Sequence, residues 1–62
     1  MKQPEKDKTY KFLIHGKGKE FRYIGTKGNR LVFEVNGHLT NMSARWFDYL
    51  FNHCNLDGVN ED

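Results

Sequence analysis

Cysteine is almost missing from this chain, with Cys54 the only one among 62 residues. A disulfide within one chain is therefore excluded, and with it the usual staple of a domain this small. Proline occurs once, at Pro4. No apolar run approaches the roughly 20 residues that a membrane-spanning helix needs, so no membrane partner is expected. The spacings of metal binding and catalysis are also missing. His15, His38 and His53 form no HxxxH and a lone thiol forms no CxxC, so a metal site would have to be gathered from one thiol and three imidazoles. Neither a metal site nor a cofactor is expected, and with no acid-base pair in view the chain reads as a non-enzyme. A single thiol and no apolar signal-like stretch after Met1 read as a cytoplasmic, reducing setting.

Acidic residues are scarce in the first half. Residues 1–30 hold nine Lys/Arg against Glu5, Asp7 and Glu20, a balance of +6, whereas residues 31–62 hold Arg45 against five acids, a balance of −4. The whole-chain balance of +2 conceals this division. A basic half points to a polyanionic partner.

What the chain has in quantity is aromatic side chains, 15% of its residues. They fall between Tyr10 and Phe51 in a period-two pattern that then becomes helical. Tyr10, Phe12 and Ile14 share one face of a first strand, Phe21 and Tyr23 one face of a second, and Leu31, Phe33 and Val35 one face of a third. Gly16-Lys17-Gly18-Lys19, Lys27-Gly28-Asn29 and Asn36-Gly37 stand between them as hairpin signals. A Lys17-Gly18 turn would pair Ile14 with Phe21, Phe12 with Tyr23 and Leu13 with Arg22. A three-residue Lys27-Gly28-Asn29 loop, with Asn29 left-handed, would pair Tyr23 with Phe33, Phe21 with Val35, Arg22 with Glu34 and Ile24 with Val32. A tight Asn36-Gly37 turn would set Val35 against His38, Phe33 against Thr40 and Leu31 against Met42 in a short, polar fourth strand. Ser43 then suits a helix N-cap, and Phe47, Leu50, Phe51 and Cys54 follow on one helical stripe that must cover the aromatic face.

The predicted fold class is α+β and mostly β: a four-stranded antiparallel meander, either a small SH3-like barrel or a strongly curved open sheet, followed by one C-terminal helix. The barrel is slightly preferred. Residues 1–8 are expected to be a disordered basic arm, 9–55 a single domain and 56–62 a flexible acidic tail.

Two surfaces carry functional expectations. Lys11, Lys17, Lys19, Arg22, Lys27 and Arg30, helped by the arm, would contact the phosphates of DNA or RNA; the competing role of such charges is to keep strand edges from aggregating. Gly16-Lys17-Gly18-Lys19 resembles a phosphate cradle only superficially, since no helix opens after it. Trp46 and Tyr49, with His53 extending their row, sit rotated from the core stripe and would anchor a larger protein, making the chain a regulator or inhibitor; the competing role is the margin of the core. Leu13, Ile24 and Val32, assigned to the outer face, would form a patch for a homodimer if the sheet stays open. In general build, with Ser43-Ala44-Arg45-Trp46 opening a helix after the last strand, the chain resembles small β-modules such as archaeal chromatin proteins and single-strand-binding transcriptional coactivators, which implies a nucleic-acid partner. No motif of either family is present residue by residue.

Overall fold

A computed structural model of the chain describes residues 3–56. Lys2 of the expected arm and residues 57–62 of the expected tail, including the Asp57-Gly58 turn, lie outside the described residues. The elements are β1 (Thr9–Ile14), β2 (Lys17–Lys27), β3 (Arg30–Val35), β4 (His38–Ser43) and α1 (Ala44–His53). The strands form one antiparallel sheet in the order β1-β2-β3-β4, the predicted meander with its C-terminal helix. Because β1 and β4 are not paired, the sheet is open, and of the two architectures the closed barrel is set aside.

The third hairpin has the predicted register. Asn36 and Gly37 both take positive φ, 53° and 82°, as a type I′ turn requires, and Val35, Phe33 and Leu31 face His38, Thr40 and Met42. The first hairpin corrects the prediction. Its turn is His15-Gly16, again with two positive φ values, 52° and 78°, and it sets Tyr10 against Phe21, Phe12 against Lys19 and Leu13 against Gly18. The displacement from the expected pairs is an even number of residues, so every side chain keeps its face. The second hairpin is also tighter than predicted. Gly28, with φ 63°, takes the left-handed position instead of Asn29 in a two-residue turn. A bulge between Tyr23 and Gly25 absorbs the extra residue, so Arg22 and Tyr23 face Glu34 and Phe33 as expected while Val32 faces Gly25 and not Ile24.

Inward-facing Tyr10, Phe12, Phe21, Tyr23, Leu31, Phe33 and Met42 are buried with Phe47 and Leu50 of α1. Phe47 is the hub, its ring 5.1 Å from Tyr10, 5.8 Å from Phe12 and 5.7 Å from Phe33. Burial of one such side chain stabilises the fold by about 1.5–3 kcal/mol. No loop separates β4 from α1. Ser43 ends the strand and caps the helix, its hydroxyl accepting the Trp46 N–H at 3.1 Å.

Both flanks of the domain are tied to the sheet. The Leu13 N–H donates to the Cys54 carbonyl and the Leu56 N–H to the Lys11 carbonyl, each at 2.8 Å, so Cys54 to Leu56 lie along the outer edge of β1. At the other end, the Asp7 N–H donates to Tyr23 O at 2.9 Å and the Tyr23 N–H to Lys8 O at 3.0 Å. The Glu5 N–H also caps the Tyr10 hydroxyl at 2.9 Å. Glu5, Asp7 and Lys8, expected to be part of a free arm, are thus hydrogen-bonded to the domain.

The register also divides the expected outer patch. Leu13 stands opposite Gly18 near one end of the sheet and Val32 opposite Gly25 toward the other, with the Lys11/Glu20 and Arg22/Glu34 rows between them.

Candidate functional site

The helical spacing of Trp46, Tyr49 and His53 places them in one row beside the buried Phe47 and Leu50. Trp46 and Tyr49 are stacked, with ring centroids 5.1 Å apart and planes 12° from parallel, and Tyr49 meets the His53 ring at 4.8 Å. Trp46 is 49% exposed and Tyr49 48%. The packing of α1 therefore hides one side of the row and leaves the other open.

Beside the row is a shallow pocket of about 210 Å³ lined by Leu13, Ile14, His15, Trp46, Tyr49, Leu50 and Cys54. Its walls follow from two local features. The His15-Gly16 turn ends β1 there, and the Leu13 N–H to Cys54 carbonyl bond holds the end of α1 against that strand. Trp46, Tyr49 and His53 were legible as candidates from helical spacing. Leu13, Ile14 and His15 are not, because a turn at Lys17-Gly18 carries β1 past the pocket, and Leu50 is legible only as part of the core stripe.

The six basic candidates are not brought together. Lys11 lies 3.8 Å from Glu20, and Arg22 sits between Glu34 at 2.7 Å and Asp7 at 3.6 Å, all on the face opposite α1. Arg30 Nε donates to Asn41 Oδ1 at 3.0 Å. Lys17, Lys19 and Lys27 are exposed and form no ion pair among the described residues. Lys17 and Lys19 face Ile14 and Phe12 across the first hairpin, on the side of the sheet that α1 covers, whereas Lys27 flanks the Gly28-Asn29 turn at the other end. The outer face holds a depression of about 290 Å³ lined by Thr9, Glu20, Arg22, Glu34, Asn36 and Gly37, two carboxylates to one guanidinium. Such a lining does not attract phosphates. Gly16 to Lys19 run through a hairpin turn into β2 and open no helix.

Among the described residues there is no group of three or more His, Cys, Asp or Glu placed to hold a metal ion. No helix among them is long and apolar enough to cross a membrane. Compared with known proteins, the chain matches no family model, no curated protein and no solved structure.

Proposed function

We propose that the protein is a small non-enzymatic module that binds a partner protein through the row of Trp46, Tyr49 and His53 and the pocket beside it. The observation that carries this reading is the pair of half-exposed, stacked aromatic rings at the rim of an apolar pocket. Tryptophan and tyrosine supply large contact area for little conformational entropy, and such residues beside a pocket dominate the energetics of protein interfaces. The pocket suits an apolar side chain of the partner. Lys17, opposite Ile14 of the pocket wall, favours an acidic residue near that side chain. A compact chain of this kind acts by occupying another protein's surface, as a regulator or inhibitor does.

The test is affinity capture from the native host with the wild-type chain and Trp46→Ala, circular dichroism serving as the check on folding. The expected result is a partner retained by the wild type and lost by the folded variant. Equal capture by both would remove this reading.

A second reading, nucleic-acid binding, is favoured by Lys17, Lys19 and Lys27 of the basic half, which are exposed and form no ion pair among the described residues. Titration of an oligonucleotide against Trp46 fluorescence at two salt concentrations tests it. Binding through phosphates weakens steeply with salt, so absent or salt-independent binding dismisses it.

A further inference from the structure

An open sheet has two edges, and this fold treats them differently. The edge of β1 is occupied by Cys54 to Leu56, through the Leu13 to Cys54 and Leu56 to Lys11 hydrogen bonds. No described residue pairs with the outer edge of β4, and His38, Leu39, Thr40 and Asn41 are all exposed. Proteins blunt such an edge with lysine, proline, inward charges or a bulge. β4 has none of these: its sequence is HLTNMS, and its register with β3 runs unbroken from Arg30/Ser43 to Val35/His38.

The turn determines which backbone groups are free. A two-residue turn closes on a hydrogen-bonded pair, here Val35 and His38, and the antiparallel alternation then assigns Thr40 and Met42 to β3 as well. Leu39 and Asn41 direct their N–H and C=O groups away from the sheet. We propose that β4 pairs antiparallel with β4 of a second copy of this chain, joining two four-stranded sheets edge to edge. With Thr40 set against Thr40 of the second copy, Leu39 lies opposite Asn41 in both directions, and every outward N–H and C=O of these two residues finds a partner. A Thr-Thr pair is itself favourable across strands. The choice of a second copy rests on charge. A two-fold pairing sets a strand against its own sequence, so any charge it carries comes close to a like charge across the axis, and β4 carries no Lys, Arg, Asp or Glu. The Leu39 side chain, 71% exposed in the single chain, gains cover from the second copy. This pairing is independent of the aromatic row and of the reading drawn from it.

Sedimentation velocity across a range of concentrations tests the proposal, using the wild type, Leu39→Pro, Leu39→Lys and Trp46→Ala. Proline at position 39 removes an N–H that does not serve β3, and lysine places like charges near the two-fold axis. The expected result is a dimeric wild type, monomeric Leu39 variants with an unchanged circular dichroism spectrum, and a dimeric Trp46→Ala. A wild type that stays monomeric overturns the proposal. So does a dimer that survives both Leu39 substitutions, or one that Trp46→Ala abolishes. If Leu39→Pro loses its sheet signal, Leu39→Lys, altered at an exposed side chain, decides.

Discussion

Trp46 and its neighbour Phe47 differ in burial on α1: the Phe47 ring is fully buried among Tyr10, Phe12 and Phe33, while the Trp46 ring is half exposed and rests on Tyr49. Adjacent residues of a helix lie about 100° apart around its axis, so a helix covering a narrow aromatic sheet must leave one of two such neighbours at the margin. The same geometry separates what the two rings do.

Their truncation should separate stability from binding. Phe47→Ala is expected to cost about 3–5 kcal/mol, as large cavities in aromatic cores do, which is most of the stability of a domain of this size. Trp46→Ala should cost about 1 kcal/mol, the value of an exposed aromatic pair, and leave the domain folded. Urea denaturation of the two variants checks the contrast, and equal losses would place Trp46 in the core.

Ser43→Ala removes the hydroxyl that accepts the Trp46 N–H. The expected loss is about 1 kcal/mol. In a domain this small that lowers Tm by roughly 4–8 °C, a shift that differential scanning calorimetry resolves. Ser43→Asp, which keeps an acceptor at the cap, should restore most of it.

His15 holds a left-handed conformation that costs an ordinary residue about 1–2 kcal/mol and asparagine less. His15→Asn creates the Asn-Gly sequence that type I′ turns favour, and should raise stability by about 0.5 kcal/mol. Thermal melts measure it. A loss of stability would show that the imidazole contributes more to the pocket wall than to the turn.

Deleting residues 1–7 removes the Asp7 N–H to Tyr23 bond, the Glu5 N–H to the Tyr10 hydroxyl and the Asp7 partner of Arg22. The expected cost is about 1–3 kcal/mol, set mainly by the two hydrogen bonds, since exposed ion pairs contribute about 0–1 kcal/mol. Urea denaturation of the shortened chain is the measurement. Unchanged stability would show that Glu5 and Asp7 contribute nothing to the fold.

These residues also show how far the fold can be read from the sequence. Asn36-Gly37 names its own turn type, and the register of β3 with β4 follows from it. His15-Gly16 serves the same turn with a residue seldom used there, and a period-two pattern cannot tell apart registers that differ by an even number of residues. The bulge between Tyr23 and Gly25 hides in the same way, because a two-residue turn plus a bulge and a three-residue loop align Tyr23 with Phe33 equally well. The cover of β1 by Cys54 to Leu56 leaves no periodic trace in so few residues. It rests on backbone hydrogen bonds, which side-chain pattern does not report. Of the aromatic row, Trp46, Tyr49 and His53 follow from helical spacing, while the β1 side of the pocket wall waits on the first turn.

Ser43 has one further consequence. It is the last residue of β4 and the cap of α1, so strand and helix meet with no slack between them. The end of the strand therefore fixes where the helix begins, and Trp46 follows three residues later. Inserting two glycines after Ser43 would free the start of the helix from the end of the strand.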